Sequence, residues 1–430
     1  MNILVIGNGF DLAHELNTQY KDFLEVINLY ENMPNINKNT QFDDYLKNIK
    51  GFKIEAKIKQ YLVAYITNKE KKIDDETEKF IYARENNFWL LYFNKLLEDR
   101  KLNDRNNWID FELEIRSVIV KINDVINKFG MEIVDNDIEQ IEDLLIINSI
   151  NTRLTGKIKN YKCVISMLRD DLTLLIRYLE IYLEKFCNDC VLEGRINVVS
   201  PDIQNIIREG CDRLLSFNYT KTFELLYGTG YRIQYDYIHG KASLSNTPES
   251  NNMVLGIDEY LSENRKNKDT KFIEFKKFYQ RIYKDTECRY GEWLCEIEDI
   301  NTKYNEDIIS LKDKLSKNDV SIYEKLEIQK NLNSLINNPP KHRVYIFGHS
   351  LDVTDKDVLK ELIMAENVYT IIFYHNKEAK GKLIVNLVKI IGQEELIRKT
   401  GANDKTIYFR QQQAMKKIER YCFDQGCKII

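Results

Sequence analysis

Asn218 and His239 are of a type, and in a kind of position, that could do chemistry. His239 closes the run Tyr237-Ile238 and is followed by Gly240; Asn218 stands 21 residues earlier, after Leu214-Leu215-Ser216-Phe217 and before Tyr219 and Thr220. An imidazole titrating near neutrality can take a proton at cellular pH, an amide can both donate and accept, and a glycine lets a ligand approach closely. Alone, each has a plainer use: asparagine at a strand end commonly caps the next helix, and a single histidine is commonly structural. They are singled out by company. Gly7-Asn8-Gly9 follows the apolar run Ile3–Ile6, and Gly348-His349-Ser350 follows a similar run beginning at Arg343. If a helix starts near Phe10, its free N–H groups face whatever lies over the glycine turn, and phosphate is the usual occupant. Asp11 adds a negative charge there, so its carboxylate must turn away, pair with a cation or bind a ribose hydroxyl.

These residues need a sheet that presents them together. Strand-like runs occur at Ile3–Ile6, Arg213–Asn218, Ile233–His239, Met253–Ile257, Arg343–Gly348, Tyr369–Tyr374 and Thr406–Phe409. Most end in Gly, Asn or His, at the carboxyl ends where open parallel sheets bind ligands. The expected fold is α/β, a Rossmann-like, mostly parallel sheet with two large helical insertions. Its core is drawn from residues 1–40, 206–260 and 339–430, with insertions at 41–205 and 261–338. Helical periodicity marks Phe80–Leu97, Phe111–Phe129 and Leu172–Phe186 in the first insertion. In the second, Ile308–Ile336 reads as an antiparallel helix pair ended by Pro339-Pro340.

With 63 basic and 67 acidic residues the net charge is −4, which gives no overall attraction to nucleic acid but leaves room for a locally basic face. No charged-then-apolar leader opens the chain and nowhere do eighteen apolar residues run together, so a soluble cytoplasmic protein without membrane attachment is expected. Eight irregularly spaced cysteines do not form a disulfide framework. Cys187 and Cys190 make one C-x-x-C without a second pair, so no metal site and no structural zinc are expected.

The segments IGNGFDLAHELNTQYKDFL, NWIDFE around Trp108, LSFNYTKTFE, IHGK, MVLGIDE and FGHSLDVTDKDVL, in this order, resemble the AbiH family of bacterial abortive phage-infection proteins over residues 1 to about 375. The resemblance implies phage defence by arrest or death of the infected cell, set off by a phage-derived trigger. Enzymes that kill their host are held in check, and regulated assembly, including homo-oligomers, is one form of restraint. Trp108, Asp110 and Glu112 read either as a Trp anchored between helices, with acids solvated or paired to a base, or as a lid over the pocket.

A remoter similarity is to sirtuin-like NAD-binding domains, whose glycine turn, asparagine strand end, His-Gly and late G-x-S correspond to Gly7-Asn8-Gly9, Ser216-Phe217-Asn218-Tyr219, His239-Gly240 and Gly348-His349-Ser350. This resemblance implies an NAD glycohydrolase with NAD as substrate. Asn218 would hold the nicotinamide ribose and a water, His239 would be general base on a ribose hydroxyl, and Gly348 and Ser350 would face the adenosine side. Thr220 stands where the family has an acid, and the sirtuin zinc module is absent, which disfavours deacylation. Two other readings remain: a metal-dependent nucleotide or nucleic-acid hydrolase using Asp11, His239, Asp258 and Asp352, or a non-catalytic sensor of a nucleotide or phage protein.

Overall fold

The computed structural model describes residues 1–32, 87–102, 110–131, 160–192, 196, 198–228, 232–247, 249–286, 288–317, 320–401 and 405–417. Six parallel strands form the central sheet: β1 (Asn2–Ile6), β3 (Arg213–Ser216), β4 (Gln234–Tyr237), β5 (His342–Phe347), β6 (Val368–Tyr374) and β7 (Ile407–Gln411). Their spatial order is β4-β3-β1-β5-β6-β7. Counted within the sheet alone, this is the doubly wound order 3-2-1-4-5-6, whose switch point lies between β1 and β5. A separate antiparallel pair joins β2 (Val198–Val199) to β8 (Lys416–Lys417).

Alternation along the strands separates two cores. Leu4, Ile6, Leu214, Phe347 and Phe373 face the helices Tyr20–Asn32, Phe88–Leu102, Phe111–Phe129 and Tyr161–Tyr182. Ile3, Val5, Leu215, Val344, Ile346 and Ile372 face the helices Lys356–Met364 and Lys377–Ile391, with Trp293 and Ile297. The predicted helix at Phe111–Phe129 is present with those bounds, started by Asp110, whose side chain accepts from the Glu112 and Leu113 amides at 3.0 and 3.2 Å. The one predicted at Leu172–Phe186 starts earlier, at Tyr161, and passes into a π-turn over Leu183–Asn188. Of Phe80–Leu97, residues 80–86 lie outside the described residues, and the helix runs Phe88–Leu102. The charged stretch Ile308–Ile336 falls in two helices, Tyr290–Ser316, which begins well before it, and Ile322–Asn337, which pack together with the Tyr304 hydroxyl donating to the Leu335 carbonyl. No helix of the described residues is long and apolar enough to cross a membrane.

One predicted strand is not a strand. Met253–Ile257 is buried along its whole length, so its composition matches a central strand, but it joins no sheet. It lies beside the turn after β4, with the Val254 amide donating to the His239 carbonyl at 2.8 Å, and runs alongside Phe275–Lys277 through a single bridge. The Gln280 side chain takes the place of a neighbouring strand, accepting from the Leu255 amide at 3.0 Å and donating to its carbonyl at 3.1 Å. This satisfies the buried backbone without a ladder.

Candidate functional site

The glycine turns after β1 and β5 pack against each other. The Gly9 amide donates to the Gly348 carbonyl at 2.7 Å, and a Cβ on Gly9 would lie 2.7 Å from that same oxygen. A Cβ on Gly7 would lie 2.8 Å from the His349 Cα. Gly348 has φ +68°, and a Cβ there would lie 2.1 Å from the Phe10 nitrogen. These glycines are therefore taken up by loop-to-loop packing at the switch point, and the helix that follows, Asn8–Ala13, is only six residues long. Gly348→Ala combines left-handed strain with a backbone clash, and is expected to cost about 2–3 kcal/mol. Denaturant unfolding measures this, and a loss below about 0.5 kcal/mol would contradict the packing described.

Phe10 is fully buried among His14, Phe223, Tyr227 and Phe347, a core position and not a ligand-facing one. Asn8 is exposed and accepts from Thr18 at 2.5 Å. Asp11 is turned inward: Thr220 donates to its Oδ2 at 2.5 Å, its Oδ1 has no partner among the described residues, and burial raises its pKa to about 6. Of the three escapes open to this carboxylate, the chain takes the first, and Thr220 is what holds it there. Asn218 donates from Nδ2 to the Gly7 carbonyl at 3.0 Å, tying the end of β3 to the β1 turn. Its backbone is fastened by Ser216, whose hydroxyl accepts from the Asn218 amide at 3.1 Å. Tyr219 donates to the Val254 carbonyl at 2.7 Å. Gly240 has φ +76° and meets the Asn252 backbone, while Ser350 is exposed and its carbonyl accepts from Asn386.

The two histidines converge on a residue not singled out from the sequence, Asp355. It sits in the 3-10 turn Val353–Asp355 after β5, a turn started by Asp352, whose side chain accepts from the Thr354 amide at 3.0 Å. His239 Nε2 lies 3.2 Å from Asp355 Oδ1, off the line of an ideal hydrogen bond, and His349 Nε2 lies 3.5 Å from Oδ2. The His349 Nδ1 accepts from the Leu351 amide at 2.9 Å, which places the ring proton of the neutral form on Nε2, facing the carboxylate. Phe217 separates the two rings, with centroids 5.4 Å from His239 and 4.4 Å from His349.

A buried cation completes the cluster. Lys277, at the start of the helix Lys277–Tyr283, places Nζ 2.9 Å from Asp355 Oδ1 and 2.8 Å from Glu112 Oε2. Glu112 comes from the first turn of the helix that Asp110 caps, so the NWIDFE segment reaches the histidines through Lys277; Trp108 lies outside the described residues. Arg281, one turn after Lys277, pairs with Asp357 at 2.7 Å.

One ammonium shared by two buried carboxylates cannot fully compensate both. Asp355, with Lys277 and both histidines around it, is held well below the ordinary carboxylate range although burial opposes this. Glu112 has Lys277 alone and acids nearby, and burial lifts its pKa to about 7. Lys277 is raised by the two carboxylates against a large burial penalty. His239 goes the other way: burial first, then Lys277 and Arg281, lower it to about 4, against the pull of Asp355. The near-neutral titration expected of this imidazole is thus displaced, first by burial and then by the two cations, Lys277 and Arg281, beside it. At neutral pH the ring is uncharged, and a charged carboxylate opposite Nε2 favours the proton there and leaves the lone pair on Nδ1.

The acids of the metal-dependent alternative do not gather. Asp11 pairs with Thr220 and Asp352 caps its own turn, while Asp258 is half-exposed and raised by burial. Among the described residues no three His, Cys, Asp or Glu side chains are grouped as metal ligands. Lys277 and Asp355 were the functional candidates missed from sequence. A signal existed for each: Lys277 lies among Phe272, Phe275 and Phe278, unusual company for a solvated lysine, and Asp355 lies within the FGHSLDVTDKDVL segment.

No curated protein and no solved structure matches the chain. The sequence pattern of the family described as bacteriophage abortive infection AbiH matches residues 3–375, which takes in β1 from Ile3, the capped helix bearing Glu112, both histidines, Lys277 and Asp355. The chain belongs to the AbiH family and is an abortive-infection antiphage defence protein.

Proposed function

We propose that the protein arrests the infected cell by hydrolysing NAD to nicotinamide and ADP-ribose at the carboxyl ends of β1, β3, β4 and β5. The observation that carries this reading is a neutral, buried His239 set against the Asp355 carboxylate on the strand end next to Asn218, beside the switch point of a sheet with dinucleotide-binding order. The sirtuin-like order of motifs supports the same assignment. Loss of nicotinamide develops positive charge on the ribose, which a site stabilises with oriented dipoles and nearby negative charge. Asp355 supplies the negative charge, the Asn218 carbonyl oxygen a dipole, and His239 Nδ1 the lone pair that takes a proton from a ribose hydroxyl or the attacking water.

Asn218 and His239 are only 5% and 4% exposed, so the described arrangement is a closed one. A host-damaging hydrolase needs such a resting form, and a phage-derived trigger, with or without assembly of copies of the chain, would open it. The experiment is to follow NAD in infected cells carrying the wild type or Asn218→Ala. NAD is expected to collapse after infection with the wild type and to hold level with the variant. Level NAD alongside growth arrest by the wild type would refute the reading.

A further inference from the structure

A second feature lies on the other end of the sheet, away from the histidines. Across β5, β6 and β7 the face bearing Tyr345 and Ile371 forms a groove of about 530 Å³, within the range of about 300–1,000 Å³ typical of small-ligand sites. Lys341, Arg343, Tyr345, Tyr369, Tyr408 and Arg410 line it. Arg343 pairs in register with Tyr369, and Tyr345 with Ile371, which in turn faces Tyr408. Lys341, Arg343 and Arg410 are exposed and have no carboxylate partner among the described residues. The groove's one acid, Glu209, accepts from the Tyr345 hydroxyl at 3.2 Å.

In a chain of net charge −4, three unpaired cations around three tyrosines on one sheet face form a local exception. The combination is selective in kind. A bare phosphate would use the cations and ignore the rings, and an anionic membrane is too flat to enter a groove. A planar base can stack on tyrosine while its phosphate meets Arg or Lys. We infer that this groove binds the base and phosphate of a nucleotide, either free or within a single strand of nucleic acid. Being at the amino-terminal half of β5 and β6, it is independent of the NAD reading.

The test is titration of the full-length protein with a fluorescent oligonucleotide of twelve deoxythymidines, with thymidine monophosphate as competitor. The expected result is saturable binding that weakens with salt, with a log–log slope of about −2 if three phosphates are engaged. The double charge reversal Arg343→Glu, Arg410→Glu should lose at least about tenfold in affinity, and Tyr369→Ala about fivefold or more. All these residues are partly or fully exposed, so unchanged thermal melting should accompany the losses; if Tyr369→Ala melts early, Tyr408→Ala replaces it. Competition by the mononucleotide assigns the site to the nucleotide unit itself, and binding of the strand alone assigns it to single-stranded nucleic acid. Three results would overturn the inference: no binding of either probe at low salt, binding untouched by the double reversal, or inorganic tripolyphosphate binding as tightly as the oligonucleotide with no effect of either tyrosine change.

Discussion

Replacing Lys277 by methionine is expected to destabilise the protein by about 3–5 kcal/mol, because it strands the charged Asp355 carboxylate in a dry environment. Methionine keeps most of the volume and removes only the charge, so the loss reports electrostatics more than packing. The partners should respond unequally. Asp355 is charged and faces Lys277 and both histidines, so Asp355→Asn should also be severe. Glu112, lifted to about 7, already carries a proton much of the time at neutral pH, so Glu112→Gln should cost less than about 1 kcal/mol. Denaturant unfolding of the three variants checks the order, and equal losses at Glu112 and Asp355 would refute the unequal sharing of Lys277.

The same cluster sets how stability responds to acid. Glu112 binds its proton more tightly folded than unfolded, so its contribution is full below about 4.5 and is lost as pH rises toward about 7. His239 binds its proton less tightly when folded, so its contribution is full above about 6.5 and is lost as pH falls toward about 4. In the wild type these slopes oppose each other across the weakly acidic range. Glu112→Gln removes the first and leaves the second, so this variant should lose stability relative to the wild type as pH is lowered from 6.5 to 4.5.

What the sequence made legible follows from the range of the interactions involved. β1, β3, β5 and β6 announce themselves through short apolar runs stopped by Gly, Ser or His, because strand burial and turn chemistry act on neighbouring residues. Asn218, His239 and His349 could be picked out for the same reason, as they stand where runs end. The Met253–Ile257 run misled because burial on all sides gives the same composition whether the backbone partner is a strand or a glutamine side chain. Lys277 was missed for a different reason: its aromatic neighbours Phe272, Phe275 and Phe278 hint at burial, but only the fold brings its partners Glu112 and Asp355 to it from distant parts of the chain. Phe10, drawn into the ligand list by its place after the glycine turn, is core because the Asn8–Ala13 helix turns that side chain onto Phe223 and Phe347.

His239→Ala is expected to lower NAD hydrolysis by about 10²–10⁴-fold in kcat, and to cost some stability as well, because the ring is buried against Phe217. The pH profile tells a working base from a packing residue. The acid limb of kcat/KM in the wild type should be set by this imidazole, and His239→Ala should remove that limb. Asp355→Asn offers a sharper version. The amide can present an N–H to His239 Nε2, which would move the ring proton to Nδ1 and remove the lone pair the reaction needs, so kcat should drop by orders of magnitude with KM little changed. Asp355→Glu, which keeps a charge facing Nε2, should recover part of the rate. If Asp355→Asn hydrolyses NAD as well as the wild type, Asp355 only fixes Lys277 in place and His239 is not the base. If instead both His239→Ala and Asp355→Asn are inactive at temperatures where each is still folded, while Asp355→Glu is partly active, the carboxylate acts through the tautomer of the ring.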